Sequence, residues 1–206
     1  QLNLEMKVAT VSEQMSYSSD YAFHNLGGID RSVRVFALPQ TYVRQMRVEA
    51  GLDSNFKNGE LRLNLLLENG LLLSKDISIT VRLFDPDGKA VEHSIPRTFV
   101  EFFAGSKTVE LFTRVSNPRQ WSAEKPFLYK MILELQQGGK VLERIERQIG
   151  FRKIEIRGTQ FFVNGEIVKL AGACHHEYDP LTGRADTMRH AEEDVRLMKD
   201  ANLNYL

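Results

Sequence analysis

Residues 60–69 read ELRLNLLLEN, and the regular alternation of leucine with other residues in this stretch predicts a β-strand. Leu61, Leu63, Leu65 and Leu67 are two positions apart, so an extended chain places all four on one face. Arg62 and several other intervening residues are polar and suit a solvated face. A strand with one apolar and one polar face is typical of an antiparallel sheet that covers a core on one side.

Two further stretches repeat this period of two. The sequences ISITVRLF at residues 77–84 and FLYKMILEL at residues 127–135 have an apolar side chain at every second position. Hairpin sequences follow them: DPDG at residues 85–88 has Pro and Gly at the positions a tight turn favours, and QQGGK at 136–140 supplies residues that tolerate positive φ. Together these features predict a mainly β protein with an immunoglobulin-like antiparallel β-sandwich at residues 41–150.

The overall composition excludes some classes of partner. The chain has 206 residues, 42% of them hydrophobic, with 27 basic and 27 acidic side chains. We expect no nucleic-acid or membrane partner, because a zero net charge lacks the basic excess that both select. The single cysteine cannot form an internal disulfide. The chain begins with Gln1 and shows no signal peptide, so the compartment stays open between cytoplasm and periplasm.

The two ends of the chain have a different pattern. Residues 2–11 and 33–38 are predicted to be two strands, too few to bury a face alone. After residue 150, short strands and an Asn164-Gly165 hairpin turn lead to a helical stripe from Thr187, with Asp186 or Thr187 as N-cap. The apolar residues of this stripe are Met188, Ala191, Val195 and Met198. A helix followed by the start of a strand, LNYL, predicts the opening of an α/β unit and a chain cut from a longer one.

The loop GACHHEYDPLTGRAD at residues 172–186 concentrates residues that could carry chemistry. A metal site is disfavoured, since neighbouring side chains on an extended segment point to opposite faces and no second Cys/His cluster exists. Cys174 is predicted to be a small buried residue rather than a nucleophile, because a catalytic cysteine needs a base placed by folding. Glu177 and Asp179 could lie about 7 Å apart on one face, within range for two-carboxylate chemistry, or be solvated. Trp121 is more simply a packing residue than a platform for sugar stacking.

Several motifs resemble glycoside hydrolase family two, which includes β-galactosidases, β-glucuronidases and β-mannosidases. The segment NPRQWSAEKPFLY at residues 117–129 and the segment GGIDRSVRVFALP at 27–39 are similar to stretches of that family. The remaining matches lie near the junction with the catalytic barrel: Gly150-Phe151-Arg152, Asn164-Gly165, Gly172, His176-Glu177, Gly183-Arg184, Leu197-Met198-Lys199 and Asn202-Leu203-Asn204. One departure is that Cys174-His175 stands where the family often has Asn-Arg.

The resemblance implies three parts: the C-terminal strands of a sugar-binding jelly roll at residues 1–40, the sandwich at 41–150, and the truncated start of a (β/α)₈ barrel at 151–206. It implies a retaining exo-β-glycosidase, most simply a β-galactosidase, acting on a β-linked glycoside. His176 and Glu13 would then be substrate-binding residues. The two catalytic glutamates would lie beyond Leu206, so no catalytic residue is expected in this chain.

The sequence also allows other functions. A β-sandwich also serves non-enzymatic carbohydrate-binding, adhesion and oligomerisation modules, and within the family a β-glucuronidase is the alternative. We expect no cofactor or metal in this chain, although the intact enzyme could use a divalent or sodium ion. The truncated chain is expected to be inactive and to self-associate through unpaired strand edges.

Overall fold

The computed structural model describes residues 32–92, 95–175, 181 and 188–205, without the side chains of residues 73–75 and 102. The chain divides into two compact units. Residues 37–170 form the larger unit, which contains all the strands named below. Residues 171–206 group with residues 1–36 in the second unit, which contains the helix.

The larger unit is built from five long antiparallel strands and a small three-stranded sheet. The long strands are β1 (Thr41–Leu52), β2 (Gly59–Phe84), β3 (Thr98–Val115), β4 (Tyr129–Gln137) and β5 (Lys140–Ile149). The small sheet contains β6 (Ile154–Arg157), β7 (Gln160–Val163) and β8 (Glu166–Ile167). The long strands run in the order β1-β2-β4-β5, with β3 also paired to β2.

Strand β2 belongs to both layers of the sandwich: β1 pairs with its first half and β4 with its second, while β3 pairs with parts of both. Residues 59–69 pair with β1 on one side and with residues 105–115 of β3 on the other. After shifts in the β3 register between Asn69 and Ile77, residues 77–84 pair with β4, which in turn pairs with β5. One long strand therefore connects two antiparallel layers, and the predicted immunoglobulin-like sandwich is confirmed.

The core lies between the layers, on the faces that the alternating pattern predicts. Leu61, Leu63, Leu65 and Leu67 have no exposed surface, and polar residues occupy the outer face at positions such as Arg62. The second half of β2 contributes Ile77, Ile79, Val81 and Leu83, and β4 contributes Tyr129, Met131, Leu133 and Leu135, all of them buried. Hydrophobic burial of these three faces is the main stabilising contribution to the sandwich.

The predicted turns form where the sequence places them. In the DPDG turn, the Gly88 amide donates to the Asp85 carbonyl at 2.9 Å and Gly88 has a φ of 80°. Gly138 and Gly139 have positive φ at the hairpin between β4 and β5. Asn164 and Gly165, with φ of 53° and 83°, connect β7 to β8, as expected for a two-residue hairpin turn.

The second unit contains helix α1 (Met188–Asp200), which confirms the predicted helix. None of its residues is buried, and Met188 and Val195 on its apolar stripe are 76% and 54% exposed. The predicted N-caps, Asp186 and Thr187, lie outside the described residues. No helix among the described residues is both long and apolar enough to cross a membrane.

The strand predicted at residues 33–38 is wrong. This segment has no strand structure, and its apolar side chains are exposed: Val33, Val35, Phe36 and Leu38. Alternation marks a segment that can join a sheet, but a strand forms only where a neighbouring chain supplies ladder hydrogen bonds. The partner strand predicted at residues 2–11 lies outside the described residues.

Candidate functional site

A parallel pairing between residues 171–172 and 204–205 is the first structural element of the candidate site. Gly172 and Tyr205 form a parallel β-bridge. Two hydrogen bonds flank it, because the Asn204 amide donates to the Ala171 carbonyl and the Ala171 amide donates to the Asn204 side-chain oxygen, both at 2.8 Å. Helix α1 lies between the paired segments in the chain. Two neighbouring parallel segments joined through a helix make a βαβ step, the repeating unit of an α/β barrel.

Gly172 is needed at this bridge for steric reasons. A Cβ atom at position 172 would clash with the carbonyl oxygen of Tyr205 and lie 2.9 Å from the Tyr205 Cβ. Real Cβ atoms do not approach other atoms so closely, and the neighbour here is largely backbone, which cannot rotate away. The Gly172 of the sequence motif therefore permits close approach of the two segments.

The end of helix α1 sets the direction of the chain into the second segment. Asn202 has a φ of 57°, in the left-handed region that favours asparagine or glycine after a helix. The Leu203 amide donates to the Met198 carbonyl at 2.8 Å, and the Asn202 amide donates to the Lys199 carbonyl at 3.0 Å. This is the hydrogen-bond pattern of a Schellman motif. In the Asn202-Leu203-Asn204 motif, the first asparagine thus ends the helix and the second pairs with Ala171.

The chain beyond Gly172 leads to the residues that could carry chemistry. His175 is the last described residue before the gap, and its Nε2 lies 2.9 Å from Asp194 Oδ2 on helix α1. The Cys174 side chain is exposed, so the prediction of a small buried residue is wrong. Cys174 lies two residues past the bridge between Gly172 and Tyr205, outside the strands and the helix named above.

The predicted sugar-binding residues His176 and Glu13 lie outside the described residues, as do Glu177 and Asp179. Within the part of the chain that the structure describes, no group of three His, Cys, Asp or Glu side chains could hold a metal ion.

A second set of motif residues forms the joint between the sandwich and the small sheet. Phe151 is fully buried and meets the Tyr129 ring edge-on, with ring centroids 5.1 Å apart. The Trp121 amide donates to the Phe151 carbonyl at 2.9 Å, and the Trp121 carbonyl accepts from the Asn164 side chain at 3.0 Å. Arg152 stacks over the Trp121 ring at 4.4 Å. Trp121 therefore serves in packing, as the sequence favours, with a cation covering its ring.

An open cleft of about 1110 Å³ lies between strands β1 and β5 and reaches Trp121. Four of its lining side chains are cationic: Arg47, Arg147, Arg152 and Lys153. Among the described residues that line the cleft, Glu49 is the only carboxylate, and it pairs with Arg47 at 2.7 Å. Two-carboxylate glycosidase chemistry needs a second acidic group, so this cleft is unsuited to that reaction.

Family models cover nearly all of the described sandwich and the βαβ step. Residues 41–152 match the model of glycosyl hydrolases family 2, and residues 154–206 match the TIM barrel domain of the same family. The chain belongs to glycosyl hydrolase family 2. The parallel pairing at Gly172 is accordingly the start of the family's barrel. Residues 173–175 follow the first barrel strand on its carboxyl side, which is the side where barrel active sites lie.

Two curated relatives of this family 2 chain are β-galactosidases. That of Priestia megaterium is 32% identical over 192 residues, and that of Aeromonas hydrophila subsp. hydrophila is 33% identical over 193 residues. Each alignment covers 92% of this chain, which spans only 18% of the relative's length. Among solved structures, the β-glucuronidase of Parabacteroides merdae is similar, with a TM-score of 0.68 and 27% identity over 81% of this chain and 21% of that one.

Proposed function

We propose that the protein to which this chain belongs is a retaining exo-β-glycosidase that removes terminal β-linked galactose. One observation carries the proposal: the βαβ step at residues 171–205 falls within the match to the family's barrel domain, in a chain aligned over 92% of its length with β-galactosidases. The similar β-glucuronidase structures favour a β-glucuronide as the second candidate substrate.

The proposed reaction uses two carboxyl groups about 5 Å apart, one as acid/base and one as nucleophile, with a covalent glycosyl-enzyme intermediate. We place both glutamates on barrel strands after Leu206. His176 directly follows the segment at the carboxyl end of the first strand, so we assign it to the glycone. A hydrogen bond that strengthens as charge develops in the sugar would favour the transition state over the ground state. Glu13 is assigned to the same pocket from the jelly roll at residues 1–40.

The sandwich at residues 41–150 is assigned a positional role between the jelly roll and the barrel segment at 151–206. The joint described above supports this role, because Phe151 is anchored in the sandwich core while Asn164 in the small sheet bonds to the Trp121 loop. A fully buried ring and a directional hydrogen bond both resist bending at this point. No chemical step is assigned to the sandwich.

The 206-residue chain alone is proposed to be inactive and to self-associate. Residues 154–206 are about a quarter of the ~200 or more residues that such a barrel requires. Large apolar side chains are exposed on the sandwich, including Leu72 at 89%, Phe99 at 72% and Phe103 at 73%. Sedimentation velocity over a range of concentrations tests self-association, and a monomer throughout would contradict it. Turnover of an aryl β-galactoside by this chain would contradict the proposed inactivity.

The activity is tested on the whole protein expressed from its intact reading frame. We expect kcat/KM for an aryl β-galactoside to exceed that for the matched aryl β-glucuronide by at least about 100-fold, because a pocket built for one hydroxymethyl group leaves a carboxylate unpaired. His176→Ala should lower kcat/KM for the galactoside, whereas His190→Ala, on helix α1, should not. Turnover of neither substrate, or a preference for the glucuronide, would overturn the proposal. Dialysis into a sodium-free buffer with a chelator, followed by restoring Mg²⁺ or Na⁺, tests the expected ion in the intact enzyme.

A further inference from the structure

We infer that the contact between His175 and Asp194 is a positioning contact, which fixes the carboxyl end of the first barrel strand against helix α1. This inference rests on the proposed function for its effect on catalysis. His175 Nε2 and Asp194 Oδ2 are 2.9 Å apart. A carboxylate only accepts hydrogen bonds, so the imidazole Nε2 carries the hydrogen and donates it.

The position of the contact in the fold gives it this role. Gly172 of the first strand forms a β-bridge with Tyr205 of the second, and residues 173–175 form no bridge to the rest of the described chain. The side chain of His175 lies within hydrogen-bond distance of the Asp194 carboxylate on helix α1. The contact therefore holds the chain three residues past the bridge between Gly172 and Tyr205. Residue 176 is bonded directly to residue 175, so a contact that fixes residue 175 also limits the position of the Cα atom of residue 176.

The exposure of the two side chains indicates that the contact contributes to positioning rather than to the stability of the fold. The side chains of His175 and Asp194 are 30% and 39% exposed, so water screens the pair. Contacts between polar side chains in such surroundings contribute little to the free energy of unfolding. A catalytic group displaced by about 1 Å, however, can lose a factor of about 100 in rate. Loss of the contact should thus affect turnover far more than stability.

The identity of residue 175 supports the same role. This chain has histidine at position 175, where family 2 proteins often have arginine. Both side chains can donate a hydrogen bond to the Asp194 carboxylate. The pairing requires a donor at position 175 and an acceptor at position 194. This requirement distinguishes the inference from a general need for bulk at either position.

The test compares variants of the whole protein. His175→Ala and Asp194→Ala should each lower kcat/KM for the aryl β-galactoside by about 10- to 100-fold, mainly through kcat, and the double variant should be no worse than either single one. Asp194→Asn keeps an acceptor oxygen and His175→Arg keeps a donor, so both should retain most of the activity. Glu192→Ala is the matched control, since its side chain is exposed on the same helix, and it should behave as wild type.

Hydrogen exchange on the same proteins gives a second readout. Amides of residues 173–175 should exchange faster in Asp194→Ala than in Glu192→Ala, while the unfolding temperatures stay equal. If the wild type hydrolyses neither sugar, the proposed function fails and the exchange data alone decide whether the contact fixes the strand end. Unchanged exchange in Asp194→Ala overturns the inference. So does kcat/KM within twofold of wild type in both alanine variants of an active enzyme, or a failure of both conservative variants to retain activity.

Discussion

Replacing Phe151 by alanine should cost more stability than any other single truncation at the joint between the sandwich and the small sheet. The ring has no exposed surface and contacts Tyr129 edge-on. It also packs so closely on β2 that a Cβ atom at Gly59 would lie 2.7 Å from it. Truncation of a buried phenylalanine to alanine costs about 3–5 kcal/mol, of which the aromatic pair accounts for about 0.5–1.5 kcal/mol.

The expected loss can be read as a shift in the urea midpoint of the 206-residue chain. With a loss of about 4 kcal/mol and a slope near 2 kcal/mol per molar urea, Phe151→Ala should lower the midpoint by about 2 M. Trp121 is the only tryptophan, and its amide bonds to the Phe151 carbonyl, so its fluorescence reports unfolding at this joint. Far-UV circular dichroism should give the same midpoint if the unit unfolds cooperatively.

Phe36→Ala is the matched control, because the same truncation is made where the side chain is 77% exposed. The shift of its urea midpoint should correspond to a change of no more than about 0.5 kcal/mol in the free energy of unfolding. If Phe151→Ala lost less than about 1 kcal/mol, the reasoning from burial would be refuted, since a ring that is truly enclosed leaves a cavity. Equal losses in the two variants would refute it as well.

Three further predictions concern single polar contacts. Asn202→Ala should cost about 1 kcal/mol because of the positive φ, whereas Asn202→Gly should be near neutral, as measured by thermal unfolding of the helix signal. Glu143→Ala should cost about 1–2 kcal/mol in urea unfolding, because its carboxylate accepts the Val43 amide at 2.8 Å and links the edge strands β5 and β1, whereas Glu143→Gln keeps an acceptor and should cost less. The hydrogen bond from the Lys57 amide lowers the pKa of Asp53 in the folded chain, so this carboxylate stabilises the fold above its unfolded pKa of about 4, and the contribution disappears as the pH falls through the folded value. Stability of Asp53→Asn should therefore fall less steeply than that of wild type on acidification below pH ~4; parallel acid profiles would contradict this assignment.

The sandwich could be predicted because its signals are local. A period of two over residues 60–69 needs only the next few side chains to define a buried face, and Gly138-Gly139 is suited to a turn in any surroundings. The same local signal was misleading at residues 33–38, where alternation is present and a ladder is not. Local periodicity indicates that a segment is suited to a sheet, while the hydrogen bonds come from a distant partner.

The motifs of the candidate site could be found in the sequence, but the structural role of each motif residue could not be predicted from it. The resemblance singled out Gly172 and Asn204, but only the fold shows that these residues meet across the parallel pairing. The contact of His175 with Asp194 joins residues 19 positions apart, and no periodicity relates them. Sequence reasoning also placed Cys174 inside the protein on the basis of its size and chemistry, although burial depends on which element packs above it.

Apart from residues 33–38, the sequence by itself therefore determined the class of the segments discussed: strands where apolar residues alternate, turns where glycine and asparagine permit positive φ, and a helix where the period changes. These outcomes depend on sterics and solvation within a few residues of each position. Tertiary structure alone decided that β2 serves two layers, that Phe151 closes the sandwich core, and that Gly172 lies against Tyr205. The physical reason is that each of these contacts forms between residues far apart in the chain. The contact becomes favourable only when folding has offset the loss of chain entropy that bringing those residues together requires.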